Sequence, residues 1–310
     1  MGRFETMGTF IQVVEAGSIS SAADALGVAK SAVSRRLKEL EEHLGVQLFH
    51  RTTRQMNLTE TGRMYYQRAV RIMQDVQEAE LQTSQAHGTL KGSLRVALPL
   101  SFSLMHLGPA ISDFLQAHPQ IEFDLDFNDR KVDLIEEGFD LAVRIATLPD
   151  SSLIARRLAT IKSVICASPE YLASSGTPQS PDDLVSHRCL IYNLMRDFEH
   201  WHLHDSAGRL VKAKIRPYLK ASNGEYLRDA AVDGLGIVLM PTFIVYKVIE
   251  TGRLVPLLTD YRCPQTAAHA LYPQTRHLSH RVRAFVDFLV KRFEGTPYWD
   301  LCLQKTNDGV

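Results

Sequence analysis

Apolar positions in residues 1–58 recur at helical spacing in three blocks. Met7, Phe10, Ile11 and Val14 form one inner stripe, and Gly17 ends it. Ser20 or Ser21 is placed to cap a short second helix, because its side-chain oxygen can satisfy an open first-turn N–H. That helix carries Ala22, Ala23 and Leu26, whose small side chains allow close approach, and Gly27-Val28 turns the chain. Val33, Leu37, Leu40 and Leu44 then predict a third helix from about Lys30, stopped at Gly45. A short helix, a Gly-containing turn and a longer helix make a helix-turn-helix. Val46–Phe49 and Gln55–Leu58 read as two short strands around a polar loop, His50 to Arg54, which is a wing.

The pattern changes at Thr59, which can cap a new helix whose first turn holds Glu60. Leu58, Gly62, Tyr65, Ala69, Ile72, Val76 and Ala79 alternate spacings of 4 and 3, a heptad seam that fades through Thr83 and Ala86. About 28 residues at 1.5 Å rise give a helix of roughly 40 Å. One narrow apolar stripe on so long a helix needs a partner, either a second copy or the helix's own domain. His87 to Gly92 breaks the pattern and reads as a hinge.

Beyond it the period shifts between two and 3.6. Leu94, Val96 and Leu98 alternate in a strand ending at Pro99, and Leu104, Leu107, Ile111 and Leu115 share one helical face. Ile121, Phe123, Leu125 and Phe127 make the next strand, followed by a helix near Val132–Glu137 and a strand from Phe139 to Ile145. A second block repeats this alternation through Val164–Cys166, a helix starting at Ser168-Pro169, Leu190–Tyr192, Leu219–Ala221, an Asn223-capped helix and Gly236–Leu239. Ala268–Tyr272 and a closing helix with Val282, Phe285, Val286, Leu289 and Phe293 complete it. Strands alternating with helices predict a parallel, helix-covered α/β sheet.

Charge sharpens the N-terminal reading only locally. The 310 residues carry 35 basic and 35 acidic side chains, so whole-chain charge does not mark a nucleic-acid binder. Between 30 and 54, however, Lys30, Arg35, Arg36, Lys38, Arg51 and Arg54 oppose Glu39, Glu41 and Glu42. In a helix-turn-helix the first residues of the second helix meet base edges. Those residues here are Lys30, Ser31, Ser34, Arg35 and Arg36, and the stripe at 33, 37 and 40 leaves 31, 34 and 35 facing outward. Arg51 and Arg54 can clamp phosphates or enter a minor groove. On charge alone a solvated helix face explains the same pattern.

Other chemistry is sparse. Cys166, Cys189, Cys263 and Cys302 form no C-x-x-C pair, which argues against a disulfide framework or zinc site. His200, His202 and His204 alternate on one strand face without a Cys or carboxylate at ligand spacing, so no metal is expected. Gly234-Leu235-Gly236 lacks the third glycine of a dinucleotide fingerprint, and no G-x-S-x-G or S-x-x-K occurs. No cofactor is expected. No N-terminal apolar run suits a signal peptide and none spans a bilayer, so the reading is cytoplasmic, with no membrane partner.

Residues 16–62 resemble the N-terminal domain of LysR-type transcriptional regulators in their paired alanines, AVSRRLKELE, LGVQLF, the R-T-T-R wing and L-T-E-T-G. VDLIEEGFDLAVRI, SPEYLASSGTPQSPDDL, HRCLIY and GLGIVLMPTFIV resemble that family's effector domain, itself similar in fold to periplasmic binding proteins. The resemblance implies a winged helix-turn-helix at 1–58, a linker helix and hinge at 59–91 and a two-lobed effector domain at 92–295. Lobe I would be 92–162 with 268–295, lobe II 163–267, and 296–310 a tail poorly ordered beyond Trp299. It implies operator DNA read by Lys30, Ser31, Ser34 and Arg35, with Arg51 and Arg54 alongside. The linker helices would pair antiparallel in a dimer or tetramer through Tyr65, Ala69, Ile72 and Val76. The transcription machinery is a further implied partner.

A ligand in such a fold lies at strand C-terminal ends. The family's positions fall on Ser101, Phe102, Ser103, Asn128, Arg144 and Asn223, which implies a small-molecule effector. Ser101 and Asn223 each stand where a helix should begin, and with Arg144 they would favour an organic anion. Each also has a plain reading, the serines and Asn223 as caps and Arg144 paired with Asp133 or Asp140. A solute-binding protein, or an enzyme using the cleft with Cys189 as nucleophile, is the rival function.

Overall fold

The computed structural model describes residues 2–50, 56–83, 90–148, 153–194, 197–274, 278–301 and 303. The chain forms two units, Met1–Gly92 and Ser93–Val310.

The first unit holds α1 (Arg3–Ala16), α2 (Ile19–Leu26), α3 (Lys30–Leu44) and α4 (Glu60–Thr83). Its core joins Phe10, Val13, Ala22, Ala23, Val33, Leu37, Leu40, Leu48 and Phe49. The inner face of α1 is rotated from the expected stripe: Thr6 and Thr9 are buried, while Met7, Ile11 and Val14 are only half-buried. Burial is tolerated because both hydroxyls bond back to helix carbonyls, Thr6 to Arg3 at 2.9 Å and Thr9 to Glu5 at 2.8 Å. The α2 cap is Ser18, not Ser20 or Ser21; its Oγ accepts from Ser21 N at 3.0 Å.

The wing base is a single antiparallel bridge, Phe49 to Leu58, instead of two strands. The Glu41 carboxylate supports it by accepting from Leu48 N at 2.7 Å and Phe49 N at 3.3 Å. Thr59 caps α4, accepting from Gly62 N at 2.9 Å. Gly62 is required there, since a Cβ would stand 2.0 Å from the Leu48 carbonyl oxygen.

The second unit holds β1 (Lys91–Leu98), α5 (Leu100–Phe102), a π-turn (Ser103–Leu107), α6 (Gly108–Ala117), β2 (Gln120–Phe127), β3 (Leu141–Ile145) and β4 (Leu153–Ile161). Then come β5 (Ser163–Ala167), α7 (Pro169–Ser175), β6 (Arg188–Tyr192), β7 (His200–His204), β8 (Leu210–Lys214) and β9 (Arg216–Ala221). It ends with α8 (Gly224–Val232), β10 (Ile237–Pro241), α9 (Thr242–Glu250), β11 (Val255–Leu257), β12 (Thr266–Pro273) and α10 (His280–Arg292). One sheet runs β2-β1-β3-β12-β4, the other β11-β5-β10-β6-β9, and β7-β8 form a hairpin. The chain therefore builds two lobes, crossing at Lys162 and again between β11 and β12.

The sheets are mixed, not purely parallel. β1 and β3 pair parallel, but β12 returns from the second lobe and pairs antiparallel with β3 and β4. Residues 134–138 form a turn where a helix is expected over 132–137. Asp133 Oδ1 captures Ile135 N at 2.9 Å and Glu136 N at 3.0 Å, a local bond that competes with helix propagation. The π-turn also breaks the predicted face after β1: its extra residue leaves Leu104 63% exposed and buries Phe102, His106 and Leu107.

The segment 296–310 opens with an ordered turn. Tyr298–Asp300 form a 3-10 turn, and Trp299 and Asp300 are fully buried in this unit. Trp299 packs on Phe102, His106 and Phe293. No helix among the described residues is long and apolar enough to cross a membrane.

Candidate functional site

The DNA-reading candidates sit on α3 as the stripe dictates. Val33, Leu37 and Leu40 are buried, and Lys30, Ser31, Ser34 and Arg35 are exposed on the opposite side. Among the described residues, Arg35 makes only an i,i+4 contact, Nε to Glu39 at 3.7 Å. Arg36 is not part of this edge. It ties α3 to α1, pairing with Glu5 and donating to Thr9 Oγ1 at 3.3 Å. Arg51 and Arg54 lie outside the described residues.

The proposed pairing seam on α4 divides. The Tyr65 ring lies 5.4 Å from Phe10 in the head's own core, and Ala69 is fully buried. Ile72 is 42% exposed and Val76 half-buried. So the first half of the seam serves the head, and the open part of the seam begins at Ile72.

Between the lobes lies a cavity of about 710 Å³ at the strand C-terminal ends. Ser101 and Phe102 line it after β1, Asn128 after β2, Arg144 at the end of β3, and Tyr192, Met240 and Phe243 from the other lobe. Ser103 and Asn223 do not. Ser103 is fully buried. Asn223 is the α8 cap, accepting from Tyr226 N at 2.8 Å and donating Nδ2–H to Glu225 at 3.0 Å.

Polar groups in the lining differ sharply in how far they are satisfied. The start of α5 is already neutralised: Leu100 N donates to Asp129 Oδ1 at 3.2 Å, and the Ser101 hydroxyl donates to Glu225. Tyr192 donates to Asp129 Oδ2 at 3.2 Å, so these two contacts bridge the lobes. Burial, with Asp129 beside it, pushes the Tyr192 hydroxyl pKa well up. Asp197 accepts from Glu199 N and His200 N, each at 3.0 Å, and faces the rings of His200 and His202. Those bonds hold its carboxyl below the usual range.

Asn128 and Arg144 are less fully satisfied. Both polar atoms of the Asn128 amide are buried and lack a partner among the described residues. Among the described residues, Arg144 donates only to main-chain carbonyls, Arg130 at 3.4 Å and Val132 at 3.3 Å, and pairs with neither Asp133 nor Asp140. Burial and then the Arg130 charge lower its pKa.

Tyr192, Asp129 and Glu225 were not singled out from the sequence, because bonds across a cleft leave no periodic signal. His200 and His202 were noticed only as a metal candidate, yet they line the cavity. Among the described residues, no three His, Cys, Asp or Glu side chains are grouped to hold a metal. Cys189 is fully buried and burial pushes its thiol up to about 12, which makes it a poor nucleophile.

Known proteins share this architecture. The family model for the bacterial regulatory helix-turn-helix protein, lysR family, matches residues 4–63, and that for the LysR substrate binding domain matches 87–294. The HTH-type transcriptional regulator CrgA of Neisseria meningitidis serogroup C is 41% identical over 93% of this chain and 96% of its own length. The solved CrgA structure has a TM-score of 0.61 at 39% identity, covering 95% of this chain and all of that one. The full-length Vibrio cholerae virulence activator AphB has a TM-score of 0.58 at 29% identity, covering 94% and 99%. The chain therefore belongs to the LysR family of DNA-binding, effector-modulated transcription regulators, which are not enzymes.

Proposed function

We propose that this regulator reads operator DNA with Lys30, Ser31, Ser34 and Arg35, with Arg51 and Arg54 on the adjoining backbone or minor groove. Its effector is a small organic anion seated on Arg144 between the lobes. The observation that carries the anion is Arg144 itself, a half-buried guanidinium lining the cavity with no carboxylate within 4.0 Å among the described residues. A carboxylate would restore, through two parallel charge-assisted bonds, the solvation that burial removes. The orphan Asn128 amide, which lines the same cavity, offers an NH2 donor group and an acceptor oxygen to the rest of the molecule.

The helix starts at Ser101 and Asn223 are weaker anchors, since Asp129, Glu225 and the Asn223 cap already occupy them. A ligand changes transcription only if it prefers one arrangement of the assembly over another. The assembly is a dimer or tetramer formed in part through the open surface from Ile72 onward.

Calorimetry on the full chain tests the anion, using a panel of small carboxylic acids and their amides at matched size. At least one acid should bind, its amide markedly less. Arg144→Ala should cost about 1.5–3 kcal/mol, the range for a hydrogen bond to a charged group, and Ser101→Ala less. An amide that binds as tightly as its acid, or an Arg144→Ala protein that holds the acid unchanged, overturns the assignment.

A further inference from the structure

We infer that the C-terminal segment Pro297–Leu301 is a strap that ties the two lobes together behind the cavity and so governs how they close on a ligand. The inference rests on the cavity being the effector site. Trp299 packs on the first lobe, its ring 5.6 Å from Phe102 and 4.5 Å from His106. Tyr298 lies edge-on to Tyr246 of α9, in the second lobe, at 5.8 Å. The Asp300 carboxylate accepts a 2.6 Å bond from Thr242 Oγ1 at the α9 start, and its other oxygen stands 3.4 Å from Lys162 Nζ. Lys162 is the one residue separating β4 from β5, where the chain passes between lobes. Thr242 is anchored to it, N and Oγ1 lying 2.9 and 3.2 Å from the Lys162 carbonyl oxygen. His106 closes the set, Nδ1 lying 2.5 Å from the Tyr298 hydroxyl and Nε2 3.2 Å from the Phe243 carbonyl.

Two features distinguish a strap from an apolar plug. Asp300 is 1% exposed, and a buried carboxylate is costly unless its partners justify the position. Its partners are a cation and a hydroxyl at the crossover, where the lobes must bend. Phe102 and Phe243, moreover, line the cavity and touch each other at 5.1 Å. Both rings also pack on His106, and Phe102 packs on Trp299. Any change of lobe separation that shifts either ring must move it against Trp299 or against His106, which the strap holds through Tyr298. That is a contiguous set of contacts through which cavity and crossover are coupled.

Hydrogen exchange on the full-length chain tests this without any ligand, so its outcome is separate from the chemistry of the effector. Thr242→Val keeps the side-chain volume and removes the hydroxyl that bonds Asp300. Exchange should quicken in 241–246 and also in 100–107 of the other lobe, by about fivefold, the factor for one ordinary hydrogen bond. Asp300→Ala, which removes the acceptor, should quicken the same two segments. Thr242→Val added to Asp300→Ala should quicken 100–107 by less than it does alone, because both remove the Thr242–Asp300 bond. Quickening confined to 241–246 or to the C-terminal peptide, or full additivity at 100–107, overturns the strap.

Discussion

Acid should loosen the Ser93–Val310 unit through His106. Its ring is 4% exposed, and burial, helped by the Lys247 charge, outweighs the Phe243 carbonyl bond and lowers its pKa from 6.5 to about 4. Tyr298 and Tyr246 are the other titratable side chains whose rings pack on it. Between these values the unfolded chain binds the proton and the folded one does not. The group's contribution is therefore complete above pH 6.5 and is lost as pH falls toward 4. At 1.36 kcal/mol per unit, the loss from pH 7.5 to 5 is on the order of 2 kcal/mol, and near 4 it approaches ~3 kcal/mol.

His187 and His269 are also lowered by burial and weaken the fold in the same window, so the assay must be a difference. Urea unfolding, followed by tryptophan fluorescence, compares wild type with His106→Gln at pH 7.5 and 5. Both tryptophans, Trp201 and Trp299, lie in this unit, so the signal reports on it alone. The variant should be weaker at pH 7.5, having lost its ring contact with Trp299, yet should lose about 2 kcal/mol less on acidification. Equal pH dependence in the two proteins refutes the reasoning.

Two further outcomes concern the head. Arg35→Ala should relax sequence choice by about 1–3 kcal/mol if a base contact is lost, whereas Arg36→Ala should lower head stability through its lost Glu5 tie; gel-shift with operator variants and thermal melts separate the two. Ile72→Asp should weaken self-association and binding to a two-half-site operator, its half-sites on one DNA face, while leaving the head folded, because Tyr65 and Ala69 pack internally; sedimentation unchanged from wild type would contradict this.

The head was legible because its signals are local. The stripe of Val33, Leu37 and Leu40 assigns both the buried and the open faces of α3. Heptad spacing could not say which partner each seam residue meets, and α4 uses Tyr65 on Phe10 while leaving Ile72 open. The π-turn at Ser103–Leu107 shifts the helical phase by one residue with no compositional mark, which turned Leu104 outward. In the cavity, Ser101, Phe102, Asn128 and Arg144 were implied by the family resemblance, whereas Asp129 with Tyr192 and Glu225 with Ser101 meet over 63 and 124 residues. The buried turn at Trp299 was missed because a short C-terminal segment carries too few residues to show a period. Its aromatic pair, Tyr298-Trp299 after Pro297, was the available sign.

Binding of the full-length protein to the DNA upstream of its own gene, titrated with salt and repeated with the best-binding carboxylic acid, tests the central claim most directly. The account predicts specific retention that falls steeply with salt, as phosphate contacts require. It also predicts that the acid shifts the affinity or the footprint in wild type but not in Arg144→Ala. Retention no stronger than on unrelated DNA, or an identical ligand response in both proteins, would contradict it.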